Sequence, residues 1–199
     1  INNVGEWKYP IEDAERLKFE QTISTVGWSL KETEGIYYLG DKGGWFEEKF
    51  GTILTQQFRK YLHIRTNEIR QGFSEDAGLL ISWDQIRERI STWERFLKTY
   101  PDFVEKPDIQ YYLNIYIRTF LTGMDNSRIH DFTSSKLRPD VKAAYEKFIR
   151  ENRDSAYFNL VNDYYEMLRS NHFNVPDDIN EFLKKRGYDT MLAKQPPTY

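Results

Sequence analysis

The sequence predicts an all-α protein built from stacked antiparallel helical hairpins, with three hairpins and a C-terminal capping helix arranged like an α-solenoid. Three observations lead to this prediction. Apolar residues recur at i, i+3 and i+4 along most of the chain, which is the spacing of one buried helical face. The alternation of apolar and polar residues that marks a half-buried strand is nearly absent. One segment recurs in chemical type 52 positions later.

The N-terminal segment, residues 10–71, is expected to form a diverged hairpin around a glycine-rich loop. Its first helix is predicted over residues 10–31, with an apolar stripe of Phe19, Ile23, Val26 and Leu30, and its second over residues 45–70. The second helix has an apolar stripe that consists of Phe50, Ile53, Leu54, Phe58, Tyr61 and Leu62. Between the two helices, three glycines within residues 37–45 permit tight or left-handed turns, so this segment is expected to be the main irregular loop.

Residues 82–123 form the first of two predicted repeat units. The unit opens with a capping-box pattern at Ser82 and Gln85, which marks a helix N-terminus. Pro101 ends this helix, because the residue before a proline is pushed out of the α region. The second helix of the unit ends at Gly123, where a left-handed C-terminal cap is expected.

Residues 138–171 form the second predicted unit, and residues 176–187 form the capping helix. The hexapeptide WERFLK at 93–98 matches YEKFIR at 145–150 in chemical type, residue for residue. In the second helices the matching residues are 48 positions apart, so we expect the first unit to have a linker four residues longer. Neither unit can bury both of its apolar faces alone, which favours stacking within a single domain over residues 1–199.

The segment Ala144–Tyr157 resembles the helix-turn-helix junction of tetratricopeptide-like repeats in bacterial cell-envelope proteins. Those junctions often read aromatic, x, x, Phe, apolar, followed by a turn ending in Asp-Ser, and this segment shares that order. Trp93–Asp102 is similar to the same junction. The 52-residue spacing exceeds the roughly 34-residue period of standard repeats, so the resemblance is to a divergent relative. It implies a scaffold or binding role in the cell envelope and no catalytic residue.

Composition excludes several classes of function. The formal charge is −3, from 28 basic and 31 acidic residues, and no segment concentrates Lys and Arg as a phosphate-binding surface would, so no nucleic-acid partner is expected. No apolar stretch approaches the roughly 20 residues of a transmembrane helix. The absence of cysteine rules out disulfides, thiolate zinc sites and cysteine nucleophiles.

The first residue bears on the expected location. The chain begins with Ile1 rather than Met, and a removed secretion signal or an upstream lipid-attachment sequence would explain that start. We therefore expect an exported protein of the periplasm or cell envelope. A trimmed cytoplasmic protein is the alternative.

Two segments contain candidate site residues. In the loop after Gly123, the side chains of Asp125, His130 and Asp131 offer oxygen and nitrogen ligands to one metal ion. The alternative for this loop is ordinary turn chemistry after a helix stop.

The second candidate consists of Tyr37, Tyr38 and Trp45 beside the flexible glycines. Exposed aromatic side chains there would form a flat platform for a sugar ring or for an apolar side chain of a partner. The alternative is that these aromatic side chains are buried as a lid over neighbouring helices.

The main hypothesis is a non-enzymatic helical-repeat protein that binds a protein or peptide partner and needs no cofactor. It rests on the repeat and on the absence of the usual catalytic motifs. The alternative is a small-ligand or carbohydrate receptor, or an enzyme, with a site assembled from distant helices. An open groove or an exposed apolar patch favours the scaffold, whereas an enclosed cavity with converging polar groups favours the receptor or enzyme.

Overall fold

A computed structural model describes residues 13–33, 35–176 and 179–186. The chain divides into two compact units, of which the first ends at Gly72 and the second begins at Phe73. The described residues form eight helices and two small two-stranded sheets, so the predicted predominance of helix is confirmed. A single domain over residues 1–199 stays a prediction.

The first unit combines three helices with a β-hairpin among its described residues. Its elements in chain order are α1 (Asp13–Ser24), β1 (Trp28–Thr33), β2 (Ile36–Asp41), α2 (Trp45–Phe50) and α3 (Gln56–Gln71). The two strands pair antiparallel from the Trp28–Asp41 pair to the Thr33–Ile36 pair, and α1 packs against β1. This unit is therefore not the purely helical hairpin that the sequence predicts.

The prediction of one helix over residues 10–31 and an irregular loop over residues 37–45 was wrong. The helix stops at Ser24, because Gly27 adopts a φ of 88°, a left-handed conformation that breaks the helix and that residues with a Cβ disfavour. The residues that follow are rich in aromatic and β-branched side chains, which favour a strand. The predicted helix extended past Leu30 because the spacing of apolar residues continues across Gly27.

The prediction of a single helix over residues 45–70 was also wrong, because this segment forms two helices. Helix α2 ends at Gly51, and Thr55 caps the start of α3 with a side-chain oxygen that accepts the Phe58 N–H at 3.5 Å. The break leaves Ile53, a member of the predicted buried stripe, 79% exposed.

The second unit contains the predicted hairpin helices. Its elements are β3 (Ser74–Glu75), β4 (Gly78–Leu79), α4 (Trp83–Thr99), α5 (Lys106–Thr122), α6 (Pro139–Glu151), α7 (Phe158–Ser170) and α8 (Ile179–Lys185). The capping box at the start of α4 is confirmed, because Ser82 Oγ accepts the Gln85 N–H at 3.2 Å and Gln85 Oε1 accepts the Ser82 N–H at 2.9 Å. Residues 10–12, 177, 178 and 187, which the sequence assigns to helices, lie outside the described residues. No helix in the described ranges is long and apolar enough to cross a bilayer.

Helices α4 and α5 pack together, as do α6 and α7, and α4 also packs against α6. The two connections, the α4–α5 turn (residues 100–105) and the α6–α7 turn (residues 152–157), have the same backbone hydrogen bonds 52 positions apart. The Tyr100 N–H donates to the Phe96 carbonyl at 2.9 Å, and the Asn152 N–H donates to the Phe148 carbonyl at 2.8 Å. Each turn then has two further backbone hydrogen bonds between residues three apart. Their lengths are 3.2 and 3.0 Å in the α4–α5 turn and 3.0 and 3.1 Å in the α6–α7 turn.

The longer linker predicted for the first unit was therefore wrong. The turns are equally long, and α5 has 17 residues against 13 in α7. The four additional residues form about one extra helical turn, which leaves the same face buried in both helices. For this reason the matching residues of the second helices are 48 positions apart, whereas those of the first helices are 52 positions apart.

The core of the second unit is a cluster of large side chains from four helices. The fully buried members of the cluster are Trp93, Phe120, Tyr145, Phe148 and Tyr164. Tyr145 donates its hydroxyl to the Phe120 carbonyl at 2.7 Å. The Met124 N–H, which lies four residues after Phe120, bonds instead to Ser127, so the tyrosine satisfies a carbonyl at the end of α5.

We expect Tyr145→Phe to lower the free energy of unfolding by about 1–3 kcal/mol, because it removes the donor to a buried carbonyl. Tyr164→Phe is the matched control, since the Tyr164 hydroxyl is buried without a hydrogen-bond partner among the described residues. The control should be neutral or stabilising in urea unfolding. Equal losses in the two variants would contradict this assignment.

Candidate functional site: a groove beside the α6–α7 turn

An open groove with a volume of about 1050 Å³ lies in the second unit. Helix α4 forms one wall, the start of α5 contributes to the base, and the end of α6 with the α6–α7 turn forms the other wall. Most of the residues that line it are polar or charged, although their apolar atoms contribute much of the groove surface. All of these elements belong to one compact unit.

The α6–α7 turn is attached to one face of α4 through three side chains, the α4 stripe, which consists of Ser91, Glu94 and Lys98. Their spacing of three and four residues places them on one face of the helix. Ser91 Oγ accepts a hydrogen bond from Asn152 Nδ2 at 2.6 Å, and Glu94 Oε1 accepts the Ala156 N–H at 2.8 Å. Lys98 Nζ lies 2.8 Å from the carboxylate of Asp154, in a pair exposed to solvent.

A buried guanidinium joins α4 to α6 at the end of the groove. The Arg87 side chain is 7% exposed and lies 2.6 Å from Asp84, 3.3 Å from Glu88 and 3.6 Å from Glu151. Lys147 of α6 also contacts Asp84, at 2.8 Å. Burial acts to raise the pKa of Asp84, but the hydrogen bonds from Arg87 and Lys147 outweigh it, so the pKa lies below its usual value.

These contacts set the relative direction of α4 and α6. Moving along α4 from residue 84 to residue 87 and residue 91, the partners are residues 147, 151 and 152. The numbers increase together, so the two helices run in the same direction. Equivalent helices of neighbouring hairpins in stacked-hairpin proteins are parallel in the same way.

The carboxylate of Glu94 is an acid in the groove whose pKa is shifted by its surroundings. Burial raises its pKa above the usual 4.5, although the hydrogen bonds from Ser155 and from the Ala156 N–H oppose that shift. Both of these donors belong to the α6–α7 turn. Glu94 therefore holds the turn in place, and the pairing accounts for its position without a catalytic role.

Two groups in the groove have no partner among the described residues. Asn152 Oδ1 is buried and accepts no hydrogen bond, while its Nδ2 is used by Ser91. The side chain of Arg95 is exposed and makes no ion pair within the described part of the chain. The exposed cation of Arg95 is thus available to a ligand, whereas the Asn152 oxygen is shielded from solvent.

The predicted aromatic platform does not form. Tyr37 and Tyr38 are neighbours on β2, so their side chains lie on opposite faces of the hairpin and cannot both share a face with Trp45. Trp45 belongs to α2, where its Nε1 donates to the Thr25 carbonyl at 3.0 Å and its ring contacts Gly27. Trp45 therefore attaches the start of α2 to the residues that directly follow α1.

The predicted metal ligands are used in local turns. Within the described residues, no group of three or more His, Asp or Glu could hold a metal ion. Asp131 Oδ1 accepts bonds from Thr133 and from both the N–H and the hydroxyl of Ser134, which lower the pKa of Asp131. His130 Nδ1 lies 3.1 Å from the Asp131 carbonyl oxygen, and the side chain of Asp125 is exposed. No metal site is proposed on these residues.

Sequence reasoning missed the groove residues Arg87, Arg95 and Asn152. Each lies within a predicted unit, but Arg87 and Arg95 come from α4 and Asn152 comes from the α6–α7 turn, which is distant in the sequence. The only local signal is the match between Asp102 and Asp154, which places two acidic residues at the same point of the two turns. That match identifies the turns as corresponding segments, and it does not show what they contact.

Comparison with known proteins finds no relative. No protein-family model matches the chain, and searches of curated proteins and of solved structures find no similar protein. The resemblance to tetratricopeptide-like repeats therefore rests on residues 93–102 and 144–157 alone.

Replacing Glu94 by Gln should change how stability depends on pH. Because the pKa of Glu94 is raised in the folded state, the folded protein holds that proton more tightly than the unfolded chain does, and the free energy of unfolding falls as pH rises through the range above 4.5. Gln keeps an oxygen acceptor for the Ala156 N–H and removes this titration. We expect the variant to gain stability relative to the wild type between about pH 4 and about pH 7 in urea unfolding.

Glu146→Gln, at the exposed corresponding position of α6, measures the background for this experiment. A stability difference between Glu94→Gln and the wild type that stays constant across the pH range would show that Glu94 does not titrate as described.

Proposed function

We propose that this protein is a non-enzymatic helical-repeat binding protein that holds an extended peptide segment of a partner in the groove beside the α6–α7 turn. The observation that carries the proposal is the exposed Arg95 guanidinium, which lines the open groove and makes no ion pair within the described part of the chain. An acidic side chain of a peptide placed in the groove would pair with it.

The shape and chemistry of the groove favour a peptide over a small molecule. Small-ligand sites are usually enclosed and mostly apolar, whereas this groove is open and lined by charged side chains. An extended peptide supplies backbone N–H donors and can place an acidic side chain beside Arg95. Because the groove is open rather than enclosed, it is also less suitable as the site of a small-ligand receptor or an enzyme.

A repeat arrangement is part of the proposal. The matching hydrogen bonds of the two turns and the parallel α4 and α6 support two copies of one unit, packed side by side as in an α-solenoid. The β-hairpin of the first unit limits this to two hairpins rather than three. A place in the cell envelope is also proposed, and it is supported by the resemblance of residues 93–102 and 144–157.

The test is to pan a random-peptide display library against the full chain and to measure the enriched peptides by fluorescence polarisation. We expect enrichment of peptides with an acidic residue, and at least about tenfold weaker binding to Arg95→Glu, which corresponds to about 1.4 kcal/mol. Arg118→Glu is the matched control, because Arg118 is an exposed arginine on α5 outside the groove.

Failure to enrich any peptide, or equal binding to the Arg95→Glu and Arg118→Glu variants, would rule out this groove as the peptide site.

A further inference from the structure

Helix α6 carries an exposed counterpart of the α4 stripe. Adding 52 to the positions of the α4 stripe gives the α6 stripe, which consists of Ala143, Glu146 and Arg150. All three residues of the α6 stripe are exposed. It keeps the carboxylate and the cation of the α4 stripe at the same spacing. Glu146 Oε1 accepts the Tyr165 hydroxyl at 2.7 Å and Arg150 lies 2.7 Å from Glu151, so a new partner shares the Glu146 carboxylate and competes with Glu151 for Arg150.

The α4–α5 turn is a free counterpart of the α6–α7 turn. Asp102 takes the place of Asp154, and Val104 takes the place of Ala156. Asp102 is exposed, and Val104 is 67% exposed. The backbone N–H of Val104 has no hydrogen-bond partner within the described ranges, whereas the matching N–H of Ala156 is bound by Glu94 at 2.8 Å.

We propose that the α6 stripe of one molecule binds the α4–α5 turn of a second copy of this chain. In this contact Arg150 pairs with Asp102 of the second copy, as Lys98 pairs with Asp154 inside the chain. Glu146 accepts the Val104 N–H of the second copy, as Glu94 accepts that of Ala156. The inference rests on the correspondence of the two hairpins and does not need the groove to bind a peptide.

The intermolecular contact is weaker than the internal one. Ala143 replaces Ser91 and Tyr100 replaces Asn152, so the third hydrogen bond is lost and only an apolar contact takes its place. Lys136 takes the place of Asp84 and Arg95 that of Lys147, so two like charges replace this internal ion pair. Pro139 takes the place of Arg87, so the buried guanidinium that contacts Glu151 has no counterpart either. Such a contact forms at high protein concentration.

The stripe and the turn are different surfaces, so each molecule has one of each and the contact is heterologous. Molecules joined in this way add head to tail and do not stop at a two-fold dimer. The average mass should therefore continue to rise with concentration rather than reach a plateau at the mass of a dimer.

The test is sedimentation velocity of the full chain from about 5 µM to about 500 µM, the range in which a weak contact becomes populated. We expect species larger than a dimer at the upper end. Asp102→Arg and Arg150→Asp should each abolish them, and the double charge-swap variant should restore them. Arg118→Asp, a charge reversal elsewhere on the unit, should have no effect, and circular dichroism checks that every variant is folded.

A wild-type chain that stays monomeric over this range overturns the inference. So does self-association that survives both single reversals, because another surface would then be responsible. Failure of the double variant to reassemble would overturn the pairing of Arg150 with Asp102.

Discussion

The attachment of the α6–α7 turn to α4 is the constraint on which the rest of the second unit depends. The buried Arg87 guanidinium lies among the carboxylates of Asp84, Glu88 and Glu151, which are themselves partly exposed. This network sets α6 parallel to α4, and the α4 stripe then holds the turn beside it. The groove is the space that remains between these elements.

The sequence predicts the second unit well because local and tertiary signals agree there. Ser82 and Gln85 start α4, Pro101 follows its end, and the apolar stripe of each hairpin helix becomes the buried face. The separation of 48 rather than 52 positions between matching residues of the second helices was wrongly attributed to a longer linker in the first unit. The four residues instead lengthen α5 by about one helical turn, which leaves the same face of the helix buried. Sequence spacing alone cannot separate these two cases.

The first unit shows the opposite situation. The helical spacing from Phe19 to Leu30 crosses Gly27, whose left-handed φ ends the helix. The residues that follow pair across a hairpin, from Thr33 with Ile36 to Trp28 with Asp41, and the helical spacing of apolar residues does not reveal that pairing. The candidate sites failed for related reasons. Asp131 is a good oxygen ligand by type, but its carboxylate is used by its own turn, and Tyr37 and Tyr38 alternate across a strand.

The groove could not be predicted, because its residues are brought together only by the packing of one hairpin on the other. The most direct test of that packing is a double-mutant cycle between Ser91 and Asn152 with alanine at each position, measured by urea unfolding. A coupling energy of about 1 kcal/mol is expected for a hydrogen bond that joins the turn to α4. Additive effects, with a coupling below about 0.3 kcal/mol, would contradict the account.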